Sequence, residues 1–275
     1  MSSLKVISAS RRIDMVGCYP GRLAETLNDK CPPEKVHTLV IWTKSTKNLF
    51  EHRQLRRTVR RYTQLFVHYT VTGMGGTLFE PNVPSLEEGM SELVHLIDLT
   101  GSPERIRFRF DPVAHFILPD GRHYSNLPMF EYVARHIAGS GIRNVSISFM
   151  SAYNKVLKRL ARANIGVHKI SSSEMQNEAD MIEEIAGRYD ITVHWCCVPG
   201  RPSSRCIDGE LLNILHPLGH TCSVKRARGQ RRDCGCTESW DIGWYHKCLH
   251  GCLYCYANPA EPDTPTPQTD KEKDN

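Results

Sequence analysis

The amino-acid sequence predicts an α/β fold: a partial parallel TIM-like (β/α)6 barrel followed by an irregular, cysteine-rich carboxyl-terminal segment. Strand-like runs rich in Val, Ile, Phe and Thr alternate six times with longer helical patterns, the layout of parallel strands joined by crossover helices. The residues at the ends of those runs are polar, as suits a fold that binds ligands beyond its strands' carboxyl ends. After Pro199 the alternation gives way to a stretch rich in Cys, Gly and Arg. A doubly wound sheet shares the same alternation, and only the strand order separates the two.

Strands are expected at residues 6–9, 38–43, 65–71, 105–110, 144–149 and 191–196, and helices at 21–27, 47–62, 86–99, 128–138, 154–163 and 174–189. Leu86, Met90, Leu93, Val94 and Ile97 show the helical spacing. Polar strand ends outline a mouth: Ser8, Ser10, Arg11, Arg12 and Asp14 at the first, Thr43 and Lys44 at the second, Thr70 and Thr72 at the third. Arg109 and Asp111, Ser148 and Ser151, and His194 and Cys196 complete it. Residues 1–197 thus read as the barrel and 198–258 as a segment held by its ligands on the barrel mouth. Residues 259–275 have no large apolar side chain to offset their ordering entropy and read as a disordered tail.

Of 275 residues, 40% are hydrophobic and 24% charged, which supports a core without covalent staples and excludes a disordered or collagen-like chain. No stretch approaches the roughly 18 uninterrupted apolar residues of a membrane span, and the first ten residues lack an export signal. The expectation is a cytoplasmic protein with no membrane partner. Its 11 cysteines should stay reduced and serve metal binding or catalysis. The net charge of +5 is too modest to name a partner.

Cys248, Cys252 and Cys255 form C-x3-C-x2-C. Three thiolates on one short loop can bind three irons of a 4Fe-4S cluster and leave the fourth open. In enzymes that use S-adenosylmethionine as a radical source, that cofactor chelates the open iron. Tyr254 is the aromatic residue usual before the last such cysteine. A structural zinc on the same cysteines, with His246 or His250, is the alternative. Cys206, Cys234, Cys236 and either Cys196 or Cys197, of which we take Cys197, make a second, closed four-thiolate set. It suits an auxiliary 4Fe-4S cluster or zinc. Cys18, Cys31 and Cys222 fit neither set and read as structural.

Arg53, Arg56, Arg57, Arg60 and Arg61 recur at helical spacing, a stripe that could neutralise phosphates or simply be a solvated face. Lys225, Arg226, Arg228, Arg231 and Arg232 form a second basic run, suited to phosphates or a cofactor carboxylate. Gly73-Met-Gly-Gly76 reads as a turn. Arg109 and Asp111, two apart on one strand, point to one face. They are either a structural ion pair or, with Lys44, the catalytic groups. Ser8, Ser10, Arg11 and Tyr254 are the candidates for cofactor contact.

Several segments carry a resemblance: Ile7-Ser-Ala-Ser-Arg-Arg-x-Asp14, Trp42-Thr-Lys44, Glu80-Pro-Asn-Val-Pro84, Arg109-x-Asp-Pro112, Cys206-Ile-Asp-Gly-Glu-Leu211, Cys234-Gly-Cys236, Asp241-Ile-Gly-x-Tyr245 and Cys248-x-His-Gly-Cys-x-Tyr-Cys-Tyr-Ala-Asn258. Together they resemble the family catalogued as domain of unknown function 1848, over nearly the whole chain before the tail. The last motif is similar to that of the spore photoproduct lyase group of radical S-adenosylmethionine enzymes. That resemblance implies S-adenosylmethionine as cofactor, a flavodoxin or ferredoxin as electron donor and a nucleic-acid-related substrate. In those enzymes the cysteines follow the first barrel strand, whereas here they come last. A circular permutation reconciles the two if 239–245 supplies a strand that pairs beside 6–9 and leads into the loop. No Gly-Gly-Glu segment stands where that group binds the cofactor's amino end. The other reading is a non-catalytic zinc or iron-sulfur protein that binds nucleic acid through the arginine stripe.

Overall fold

The structure, a computed structural model, describes residues 4–231 and 233–257. Arg232 and the tail expected at 259–275 lie outside the described residues. In chain order the strands are β1 (Lys5–Ala9), β2 (Val36–Thr43), β3 (Leu65–Thr70), β4 (Ile106–Val113), β5 (His115–Ile117), β6 (His123–Ser125), β7 (Asn144–Phe149), β8 (Gly166–Val167), β9 (Thr192–Trp195) and β10 (Trp240–Asp241). The helices are α1 (Met15–Cys18), α2 (Pro20–Lys30), α3 (Lys47–Glu51), α4 (Arg53–Val59), α5 (Leu86–Ser91), α6 (Leu93–Thr100), α7 (Phe130–Gly139), α8 (Asn154–Arg162), α9 (Ser172–Arg188) and α10 (Gly209–Leu215).

Seven strands pair in parallel in the order β10-β1-β2-β3-β4-β7-β9. From β1 onward the order never reverses, so right-handed crossovers place the connecting helices on one face. Alternation along the strands matches this. Leu39 and Ile41 of β2, Val67 and Tyr69 of β3, and Phe108 and Phe110 of β4 join the main core with the helices. Their neighbours Trp42, His68, Arg107 and Arg109 therefore face the other way. β9 and β10 remain as edges, and the sheet does not close into a barrel. The strand expected within 239–245 forms at Trp240–Asp241, with Trp240 opposite Ile7 and Asp241 opposite Ser8.

The polar second face is covered by the cysteine-rich segment. Ile207, Leu212 and Cys222 pack with Val6, Val40 and Phe66. Side chains from the sheet satisfy that segment's carbonyls: Gln64 Nε2 donates to Leu212 at 2.9 Å and His68 Nε2 to Cys206 at 2.8 Å. A β-carbon on Gly209 would stand 2.4 Å from the Ser223 carbonyl oxygen, so the close approach of these two loops requires glycine.

The sequence expectation differs from the structure in its short elements. β5, β6 and β8 form a separate antiparallel sheet, each strand too short to show an alternation. The Pro119-Asp-Gly121 turn between β5 and β6 was the available signal. The helix expected at 47–62 is split at His52, whose ring caps α4 by accepting from Leu55 N. Arg60 and Arg61 thus fall beyond α4, and Arg61 donates to Asn28 at 2.7 Å. The stripe is exposed, and its residues do not line the cavity described next. α10 was also missed, although Asp208 caps it through Glu210 N and Leu211 N. Among the described residues no helix is long and apolar enough to cross a membrane.

His37, His216 and His220 stack at the far end of this face, with ring centroids 4.5 and 5.0 Å apart. Burial, ahead of its two histidine neighbours, presses His216 down to about 4. A histidine held neutral in this way stabilises the fold above its unfolded pKa of about 6.5 and loses that contribution as pH falls toward 4. At about 1.4 kcal/mol per unit, up to about 3 kcal/mol is at stake. Urea unfolding at pH 7 and pH 4.5 should show the loss, and His216→Phe should flatten it; an unchanged slope in that variant contradicts this origin.

Candidate metal centre

Residues at or beyond the carboxyl ends of all seven parallel strands converge on one cavity of about 500 Å³. Cys248, Cys252 and Cys255 open on it, as do Ser10, Arg11, Lys44, Arg109, Asp111 and Tyr254. Ser8, Cys197, Cys206, Cys234 and Cys236 do not line it. Ser8 is buried at the junction of β1 and β10, where it donates to Asp241 at 3.0 Å and accepts from Trp42 Nε1. Asp241 also accepts from Ser10 Oγ at 2.7 Å and from Arg11 N at 3.0 Å. The expected cofactor contact of Ser8 is therefore corrected to a strand-joining role.

The cysteine loop is held at both ends. At its start, His250 Nε2 meets Asp14 Oδ2 at 2.7 Å, and its Nδ1 faces the Asn82 carbonyl at 3.1 Å. Asp14 caps α1 through Gly17 N at 2.7 Å and accepts from Thr43 Oγ1 and Lys44 N at 3.0 and 2.8 Å. A β-carbon on Gly17 would lie 2.7 Å from the His250 ring, so glycine makes room for it. Burial opposes the charged imidazole, but the Asp14 carboxylate outweighs it and lifts His250 to about 9. At neutral pH both ring nitrogens donate.

Cys18 Sγ lies 3.6 Å from Cys248 Sγ. Among the described residues, Cys18, Cys248 and His250 form a trio whose ligand atoms all lie within 4.8 Å. The Cys18 thiol, ahead of the His250 charge, brings Cys248 down to about 6, while Cys18 itself is pushed up. Of this pair Cys248 is the one drawn toward the thiolate, the form that binds metals. Reading Cys18 as merely structural missed this; it lies 230 residues from its partner, and no local spacing signals it.

The rest of the loop rests on the Glu80-Pro-Asn-Val-Pro84 segment and on α8. Glu80 is fully buried and takes Lys44 Nζ at 2.7 Å and the Tyr254 hydroxyl; Lys44 also donates to Tyr254 at 3.0 Å. Burial pushes the Cys252 thiol well up against the pull of Lys44. Asn82 Nδ2 donates to the Leu249 carbonyl at 2.8 Å. Arg159 Nη1 donates to the carbonyls of Leu253 and Cys255 at 3.0 and 2.8 Å. Lys44, expected among the catalytic groups, is thereby committed to an ion pair behind the loop.

On the opposite wall Arg109 pairs with Asp111, which also accepts from Ser148. The Arg109 guanidinium lies 5.2 Å over the Trp42 ring, and its Nη1 donates to Cys206 Sγ at 3.4 Å. Arg109 thus bridges the cavity and the second cysteine set. Within that set Cys206 is within electrostatic reach of Cys196 and Cys236, and Cys236 of Cys234. Cys196, not the Cys197 taken from the sequence, is the strand-end sulfur beside Cys206. Cys197 has φ +56°, which turns the chain, and it lines a separate surface cleft with Cys234.

No curated protein and no solved structure matches the chain. The model of the domain of unknown function DUF1848 matches residues 24–257, a span that contains the cysteine loop, the Glu80 cradle and the second cysteine set. The chain belongs to the DUF1848 family.

Proposed function

We propose that this protein is an iron-sulfur enzyme of the radical S-adenosylmethionine type, with a 4Fe-4S cluster on Cys248, Cys252 and Cys255. The observation that carries the reading is the position of the loop. It follows β10, which pairs in parallel beside β1, and it opens on the cavity at the strands' carboxyl ends. Counted across the sheet from β10, the cysteines follow the first strand, the place they hold in the radical enzymes that the motif resembles. The chain is then a circularly permuted partial barrel. The donors suit the cluster: Cys248 is drawn toward the thiolate, and all three cysteines line the cavity, where a cluster's fourth iron would find room.

When bound, the cluster and S-adenosylmethionine supply reductive cleavage of a carbon–sulfur bond. The chain's own residues have separate tasks. Asp14, His250, Glu80, Lys44 and Tyr254 hold the loop. Ser10 and Arg11 flank it on the cofactor side, and Arg109 and Asp111 face the substrate. Tyr153, Tyr245 and Tyr256 are exposed around the mouth with Arg12 and Arg231, a rim suited to a base stacked on a ring and a phosphate on a guanidinium. A nucleotide-containing substrate and a flavodoxin or ferredoxin as electron donor, in the reducing cytoplasm, complete the proposal.

The test is iron, acid-labile sulfide and zinc content after anaerobic purification, with the reduced paramagnetic resonance spectrum recorded before and after adding S-adenosylmethionine. About four irons or more per chain and a spectrum altered by the cofactor are expected. Stoichiometric zinc without iron overturns the reading, and zinc that is then lost in Cys18→Ala lies at Cys18 and Cys248. Their 3.6 Å separation is close to an edge of a tetrahedron with Zn–S bonds of about 2.3 Å.

A further inference from the structure

We propose that Cys196, Cys206, Cys234 and Cys236 hold a second, closed metal centre of four thiolates, whose negative charge is neutralised by the buried guanidinium of Arg107 together with Arg109. This goes beyond the cavity reading and does not depend on it. The four cysteines come from three short stretches between residues 196 and 236: the end of β9, the residue two before Asp208, and the loop before β10. Cys206 is within electrostatic reach of both Cys196 and Cys236, and Cys236 of Cys234, with no three of these sulfurs within 4.8 Å of one another.

The independent observation is Arg107. Its residue is 2% exposed, and its Nε and Nη1 have no hydrogen-bond partner. An isolated guanidinium in such a place costs several kcal/mol, and natural interiors pair such groups. Arg107 stands two residues from Arg109 on the same face of β4, within electrostatic reach of Cys206, Cys236 and Asp208. The carboxylates nearby are already engaged: Asp111 by Arg109, and Asp208 by the cap of α10 and by Arg205 at 3.5 Å. Arg231 adds a further cation, its Nη2 3.3 Å from Cys196 Sγ. The hydroxyls of Ser146 and Ser204 are also buried without partners in this neighbourhood.

Four neutral thiols, each a weak acceptor, do not balance these donors. Four thiolates around a divalent ion, or around a 4Fe-4S core of charge +2, carry a net charge of about −2 and do. Donors aimed at thiolate sulfurs are also a usual means of tuning an iron-sulfur centre. A tetrahedral zinc and a cubane share this four-thiolate chemistry, and metal analysis separates them.

The experiment uses the full chain purified anaerobically, with iron, labile sulfide and zinc counted. A variant with Cys248, Cys252 and Cys255 all replaced by alanine should keep one complement, about four irons with sulfide or one zinc. Cys234→Ser, at a partly exposed position, should lose that complement and retain the one in the cavity. Arg107→Met should release the second metal to a chelator roughly tenfold faster, without altering the first. A triple-alanine variant with native circular dichroism and no metal overturns the proposal, as does a Cys234→Ser variant with full metal content. Should the triple variant fail to fold, the difference between wild type and Cys234→Ser decides. A wild type with only the second complement, and no spectral response to S-adenosylmethionine, instead overturns the cavity reading alone.

Discussion

Asp14→Asn is expected to destabilise the protein by about 3 kcal/mol near pH 6, and to leave it almost unaffected near pH 9.5. The carboxylate accepts from the His250 ring and from two backbone amides. It is what holds His250 at about 9, above the unfolded value of about 6.5. A group raised in this way stabilises the fold fully below about pH 6.5, and its contribution disappears as pH rises through about 9. The asparagine variant lets burial win, so His250 loses its proton and that contribution is absent throughout. With about 2 to 4 °C per kcal/mol for a domain of this size, the melting temperature near pH 6 should fall by roughly 6 to 12 °C. Urea titrations of both proteins at pH 6 and pH 9.5 test this; an equal loss at both values means that the lost hydrogen bonds, and not the ion pair, are responsible.

Glu80→Gln should cost about 3 to 5 kcal/mol, because it strands the Lys44 cation in a buried site. The replacement cannot balance the charge, and the Tyr254 hydroxyl is the only other partner recorded for Lys44 Nζ among the described residues. Since Tyr254 sits between Cys252 and Cys255, the same variant should lose metal from the cavity site faster. Adding Lys44→Met to Glu80→Gln removes both charges, and the double variant should recover at least half of the lost stability. Additive losses in that cycle would show that the two side chains do not act as a pair.

Much of the frame was legible because parallel strands bury both faces and alternate strictly. Phe108 and Phe110 on one parity and Arg107 and Arg109 on the other already separate the helix side from the polar side. The same parity would have settled the choice between neighbouring cysteines, since Cys196 shares it with His194, and Cys196 N donates to the Ile147 carbonyl as the strand's last rung. The cysteine loop declared itself by spacing. What holds the loop did not, because Cys18, Asp14 and Glu80 reach it from 168 or more residues away, and a contact of that range leaves no periodic trace. Glu80 stood within a quoted motif, yet nothing local distinguishes a buried counter-ion from an exposed acid.

The two-residue strand β10 has a consequence for how the protein is made. Its Asp241 is the clip that binds Ser8, 233 residues upstream, together with Ser10 and Arg11. During synthesis at about 5 to 20 residues per second, β1 waits on the order of 10 to 50 s with one edge uncovered. The three cysteines emerge later still, after every strand of the sheet. A metal bound by those cysteines, as proposed, would therefore be loaded onto an otherwise assembled sheet, and until Asp241 arrives the edge of β1 stands as an unpaired strand open to association.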